Sequence, residues 1–119
     1  MAKLIHKKKV ILNEMKYLTS MLSISKGLML SSKKKCKNGV CLVMPTDKDV
    51  KFGASVTMMF CLYSLEIIFV NSKFKVVDKV ILKPWKITYV PKSECRYVIE
   101  SYPGNLKEIK IGDTIKIEK

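Results

Sequence analysis

Short β-prone runs follow one another along almost the whole chain, each closed by a turn signal, and this punctuation points to a mostly β sandwich or barrel. The runs fall at residues 9–12, 28–31, 40–44, 56–63, 65–70, 74–82, 96–101 and 114–118. Asn38-Gly39 is the strongest hairpin signal, because both residues tolerate positive φ, and it predicts a hairpin joining 28–31 to 40–44. Asn71-Ser72-Lys73 reads as a further turn, and Pro84, Pro91 and Pro103 punctuate the last third. Gly112-Asp113 sets up the final strand, where residues 114–118 alternate outward polar with inward isoleucine positions. One segment departs from the pattern. Over 19–26, Thr19 or Ser20 can cap a helix, Leu18, Met21, Leu22 and Ser25 share a face, and Gly27 stops it after two turns at most. The expected fold is a compact antiparallel β-sandwich or barrel-like domain with one or two short helices.

A length of 119 residues matches one domain, read as 1–119, and area scaling lets such a chain bury about two-thirds of its unfolded surface. With 48% apolar residues it has the material for a core, which excludes a disordered chain. The basic start leads into no apolar stretch of signal length, since Asn13, Glu14 and Lys16 follow Val10 to Leu12. The longest weakly charged run, 54–70, is shorter than a membrane span and contains Glu66. Strand-formers such as Val56, Thr57, Ile67 and Ile68 make that run a pair of buried strands, and a cytoplasmic location is expected.

The net charge of +13 comes almost wholly from lysine, with Arg96 the only arginine among 23 bases. Readers of nucleic-acid sequence lean on the planar arginine fork, whereas lysine is a hydrated point charge, so base-specific recognition is disfavoured. Lysine enrichment is also the trend of hyperthermophile proteins. Residues 1–37 hold ten lysines against Glu14 alone. The triplets Lys7, Lys8, Lys9 and Lys33, Lys34, Lys35 are the densest points. They read either as solvated edge and loop lysines that keep strands from pairing between molecules, or as a salt-sensitive polyanion contact.

Catalytic templates are missing from the sequence: it has no phosphate-cradling glycine loop, no nucleophile elbow and no metal helix, and only one histidine, His6. His6 is expected as an exposed residue on the lysine-rich first strand. Cys36, Cys41, Cys61 and Cys95 lack paired zinc spacing, so neither a metal nor a cofactor is expected. With Asn38-Gly39 as a two-residue turn, Cys36 and Cys41 face each other at disulfide distance. Glu66 lies within an apolar run and must be paired or hydrogen-bonded, as a buried salt bridge, a backbone clamp or the polar base of a pocket. Glu100 is expected to pair with a cross-strand lysine, and Asp113 to satisfy backbone donors in a turn. Trp85, between Lys83 and Lys86 and behind Pro84, reads as a core or lid residue or as a stacking surface.

Gly27-Leu28-Met29, Asn38-Gly39, Met58 eight residues before Glu66 in Ser64-Leu65-Glu66-Ile67-Ile68-Phe69, and Lys83-Pro84-Trp85-Lys86 follow one another along the chain. Tyr97-Val98-Ile99-Glu100, Pro103-Gly104 and Ile111-Gly112-Asp113 complete the order. Taken together these motifs resemble the prokaryotic family catalogued as domain of unknown function 192. The resemblance spans about 18–117 and looks like the archaeal branch. It implies a compact mostly β fold with a small helical insertion and no assigned activity. Where bacterial members carry a polar Lys-Asn-Thr stretch, this chain has Met59-Phe60-Cys61, so a pocket lined there would be more apolar.

The expected function is a small non-enzymatic binding or accessory module, with a partly apolar pocket near Met58, Glu66, Lys83, Trp85 and Asp113 that takes a small ligand or a protein. The alternative is a sequence-independent binder of nucleic acid or anionic membrane through the two lysine triplets. A hydrolase or transferase using Glu66 or Asp113 as general base would need a concave site and a shifted carboxylate.

Overall fold

Three segments are buried at nearly every position, which is the mark of strands covered on both faces. These are Val40–Val43, Leu65–Val70 and Tyr97–Ser101, and they form the middle of a seven-stranded sheet. The computed structural model describes residues 2–19, 37–44, 49–50, 63–85 and 89–119. In chain order the strands are β1 (Ala2–His6), β2 (Lys9–Leu18), β3 (Val40–Val43), β4 (Leu65–Val70), β5 (Val76–Leu82), β6 (Tyr97–Ser101) and β7 (Lys116–Glu118). Their spatial order is β5-β4-β6-β3-β2-β1-β7, and the sheet curls into a half-barrel. The two ends of the curl approach each other at one place. There Val76 donates to Asp113 O at 2.8 Å, Gly112 donates to Val76 O at 2.8 Å and Ile115 donates to Phe74 O at 2.9 Å.

The alternation of side chains separates two cores. On one face of the sheet, Leu4, Leu12, Met15, Cys41, Ile68, Val70 and Ile99 meet Leu106, Ile109 and Ile115 from the last third of the chain. On the other, Val40, Leu42, Leu65, Ile67, Phe69 and Val98 are covered by Leu82, Val50, Tyr89 and Cys95. Each fully buried Phe, Ile or Leu contributes about 1.5–3 kcal/mol relative to its exposed state, so the three central strands carry most of the apolar stabilisation.

The mostly β expectation holds, and run 65–70 is observed with the same bounds. Four details differ. A strand, Ala2–His6, precedes the predicted first one, and the predicted 9–12 extends to Leu18. The β2–β3 pair is parallel, with Lys16 opposite Val40, in an otherwise antiparallel sheet. Val40–Val43 lies between β2 and β6, so both its edges are occupied and no hairpin partner can pair with it across Asn38-Gly39. Instead Lys37 and Asn38 are helical and Gly39, at φ 81°, turns the chain into β3. Only glycine fits there, since a Cβ would stand 2.8 Å from Leu12 Cδ1 and 3.0 Å from Glu100 O. The helix expected over 19–26, apart from Thr19, and the run 28–31 lie outside the described residues, as do 56–62.

β1 and β2 are joined by a two-residue turn, Lys7-Lys8, closed by the His6–Lys9 pair. Both turn residues have positive φ, 50° and 66°, the geometry of the primed hairpin turn that asparagine and glycine normally occupy. The right-handed twist of the strands selects this geometry over the amino-acid preference. Replacing Lys7→Asn together with Lys8→Gly should raise stability by about 1–2 kcal/mol, read from the urea midpoint; an unchanged midpoint would show that the lysines carry no strain.

Candidate functional site

β5 ends the sheet, and beyond Val76 its outer side diverges from the segment that leads into β7. The wedge left between them is an open cleft of about 430 Å³ lined by Lys79, Val80, Ile81, Ile109, Lys110 and Ile111. Ile81 and Ile111 are 57% and 56% exposed, which is unusual for isoleucine on a strand and a turn that face each other.

The far wall of this cleft is held by Glu66. Its Oε1 accepts hydrogen bonds from the backbone N–H of Gly104 at 3.0 Å and of Leu106 at 2.8 Å, and Lys79 Nζ stands 3.5 Å from Oε2. Lys79 Nζ also donates to Leu106 O at 2.8 Å and Ile109 O at 2.7 Å. Ile81 is the cross-strand partner of Glu66, so acid, lysine and cleft lie within one short stretch of the β4–β5 ladder. Of the three readings open for Glu66, the structure shows a backbone clamp combined with an ion pair. Pro103-Gly104 supplies the turn whose amides are clamped.

Asp78 anchors the opposite face of β5. Fully buried, its Oδ2 accepts from Tyr89 Oη at 2.7 Å and from Lys92 N at 3.0 Å, which pins the 89–92 segment over the sheet. Burial, reinforced by the bond to Asp78, pushes the Tyr89 hydroxyl up to about 12.

Asp113 satisfies a turn donor as expected, Lys110 N at 3.0 Å, but it also accepts from His6 Nε2 at 2.8 Å. His6 is only 3% exposed, which corrects the expectation of a surface residue: the pairing of β1 with β7 brings residues 107 positions apart into contact. The Lys110 amide and the His6 bond hold the Asp113 carboxyl below its ordinary value. Glu100 departs in the other direction. Its cross-strand partners are Val40 and Ile67, not lysine, and no ion pair to it is found among the described residues. Burial pushes its carboxyl from 4.5 up to about 7.

The other predicted site residues are dispersed. Lys83 is exposed just past β5, and Trp85 is 55% exposed rather than part of a core, with a left-handed φ of 67°. Lys7, Lys8 and Lys9 are exposed at the β1–β2 turn, where Lys9 Nζ lies 3.5 Å from Glu108. Met58, Lys33, Lys34, Lys35 and Cys36 lie outside the described residues. Cys41 and Cys95 are free, buried thiols that burial pushes up to about 12, so neither is a thiolate at neutral pH. The exposure of Ile81 and Ile111 was missed: Ile81 lies in the β-prone run 74–82, where an isoleucine reads as core, and Ile111 reads only as part of the Ile111-Gly112-Asp113 turn motif. The one available signal was Ile111 directly before Gly112-Asp113, where a turn leaves a side chain outside.

The chain is a curled, mostly β half-barrel, and comparison with known proteins shows the family to which it belongs. The model of the DUF192 family (Uncharacterized ACR) matches residues 4–117, so the chain belongs to this family, and the match starts earlier than the 18 expected because β1 and β2 are part of it. The UPF0127 protein of Pyrococcus horikoshii is 37% identical over 105 residues, 87% of this chain and 86% of that one. A UPF0127 protein of Pyrococcus abyssi is 38% identical over 80 residues, 67% of this chain and 68% of that one. A crystal structure of a protein of unknown function from Novosphingobium aromaticivorans superposes with TM-score 0.80 at 18% identity, covering 97% of this chain and 82% of that one, and shows the same fold. Among the described residues no helix is long and apolar enough to cross a membrane.

The Glu100 shift carries a pH dependence. Between pH 4.5 and 7 the acid is neutral in the folded chain and ionised in the unfolded one, so the part of the stability linked to Glu100 is fullest below 4.5 and is lost as pH rises through 7. The whole span is about 3 kcal/mol. Glu100→Gln should remove that slope, bringing the urea midpoints at pH 5 and pH 8 together and making the variant the more stable protein at pH 8. Asp113, held below 3.8, stays ionised over this range and does not contribute. A slope unchanged by the substitution would place the titrating group elsewhere.

Proposed function

We propose that the chain is a non-enzymatic binding module that docks a partner protein in the cleft between β5 and residues 109–111. One observation carries the reading: Ile81 and Ile111 stand more than half exposed on opposite walls of a groove with lysines and no acid in its lining. A chain that builds two covered cores has the means to bury these side chains, and an apolar groove with a polar rim is how proteins mark an interaction surface. Lys83 and Trp85 directly follow β5 and extend the surface past the strand, with Trp85 held at a φ that bulky residues rarely adopt.

The chemistry of the acids supports binding rather than catalysis. Glu66, Asp78 and Asp113 are each engaged by backbone or side-chain donors, which suits structural anchoring. We place the module in the cytoplasm, a compartment that suits two reduced, buried thiols.

A random-peptide phage library panned against the protein should enrich binders whose retention is lost in Ile81→Lys and in Ile111→Lys, both folded because both positions are exposed. Enrichment that survives both substitutions, or none at all, overturns the reading.

A second reading, a sequence-blind polyanion contact through Lys7, Lys8 and Lys9, is favoured by one observation: lysines occupy a turn that strains them while projecting them into solvent. It requires that retention of single-stranded DNA on a filter fall with added salt and with Lys7→Ala plus Lys8→Ala. Retention that ignores either change excludes it.

A further inference from the structure

The cleft reading leaves the shape and charge of the partner open, and the edge of β5 speaks to both. We propose, resting on that reading, that the occupant is an extended acidic segment of a partner protein that adds as a strand to the outer edge of β5.

β5 has β4 on one side only. On its outer side the backbone is engaged at the start, where Val76 exchanges hydrogen bonds with Asp113 and Gly112 and Lys75 bridges to Thr114. Past that point residues 109–111 peel away, and among the described residues no strand pairs with the outer edge over 77–82, although the Lys79 N–H there is taken by Asp78 Oδ1 at 2.8 Å. An unpaired row of N–H and C=O groups is a template for another strand. Six residues span about 20 Å, enough to register a short peptide, and Pro84 marks where the template ends.

At Val76 the chain's own segment already pairs with this edge. The cleft continues the line of a β-pairing that the chain makes with itself and then abandons, so a strand entering there prolongs a ladder already started. Alternate side chains of that strand reach Ile81 and Ile111, which supply apolar contacts, while the backbone supplies the ladder, as in other cases of strand addition.

Charge selects the partner. Of the two lysines lining the cleft, Lys79 is committed to Glu66 and two carbonyls, whereas Lys110 is exposed, and Lys83 is exposed at the strand end. Lys110 and Lys83 therefore stand beside the ladder with no acid in the cleft lining to meet them. The same charges argue against a second copy of this chain: pairing β5 with its own copy brings two +13 molecules together at their lysine-bearing edges.

The test uses the whole protein and a short fluorescent peptide alternating glutamate with valine, followed by anisotropy. The acidic peptide should bind, a peptide with lysine for glutamate should not, and Lys83→Glu with Lys110→Glu should reverse that preference. Methylating the backbone nitrogens along one peptide edge removes the ladder but keeps every side chain, and should weaken binding by about tenfold or more. Amides within 77–82 should gain protection from hydrogen exchange when the peptide is bound. If N-methylation is tolerated while Ile81→Lys still abolishes binding, strand addition is wrong and the cleft reading survives. If the acidic peptide fails to bind while panned peptides still depend on Ile81, the assigned charge is wrong and the cleft again survives. Concentration-dependent dimers that Ile81→Lys dissolves, with no peptide effect, would assign the edge to a second copy and overturn the proposal.

Discussion

The clamp at Glu66 is the contact on which the rest of the molecule depends. A carboxylate within an apolar strand is costly unless its lone pairs are used, and here two amides and an ammonium group use them. The effect reaches beyond one side chain. The clamped turn carries Leu106 and Ile109 onto the core face that Ile68, Val70 and Ile99 would otherwise expose. Lys79 completes the lock by donating to the carbonyls of those same two residues. Breaking such a buried pair from one side costs about 3–5 kcal/mol, a large part of the 5–15 kcal/mol that holds a typical domain together.

The clamp also explains why a cleft exists where it does. Between the clamped turn and the Val76 contacts the chain is fixed at two places, and the backbone between them follows neither the sheet nor the core closely. Ile111 lies in that interval and is turned out, while Ile109, held at its carbonyl by Lys79, is turned in. A polar interaction in the interior thus shapes an apolar groove at the surface.

Glu66 and Glu100 show how little the residue type says about its fate. Each lies in a strand buried on both faces, and both are under 5% exposed. The face of the sheet separates them, because Glu66 points toward the loop that closes the core and finds amides, whereas Glu100 is flanked by Val40 and Ile67 and meets the burial cost by holding its proton. That difference was not legible in the chain, since a one-residue shift in register would exchange the two environments.

Much of the scaffold was legible. Run 65–70 is apolar on both sides of its alternation except for the acid, which already implied a central strand with a partnered carboxylate. Residues 114–118 alternate clearly, and Ile115 is buried while Thr114 and Lys116 are exposed. The β1–β2 hairpin was hidden because its turn is made of lysines, which carry no turn signal. The parallel β2–β3 pair was hidden because Asn38-Gly39, a hairpin signal in isolation, here serves as a bend after a helical turn.

What the amino-acid order determined by itself was the class of fold, the central strand and the need for Glu66 to be held, because periodicity and desolvation are local properties that act wherever the chain goes. What only the tertiary structure decided was which groups meet: His6 with Asp113, Glu66 with Gly104 and Leu106, and Ile81 with Ile111 across a gap. These contacts join residues 30 to 107 positions apart. Sheet order and curl set their distances, and neither is encoded in any short stretch of sequence.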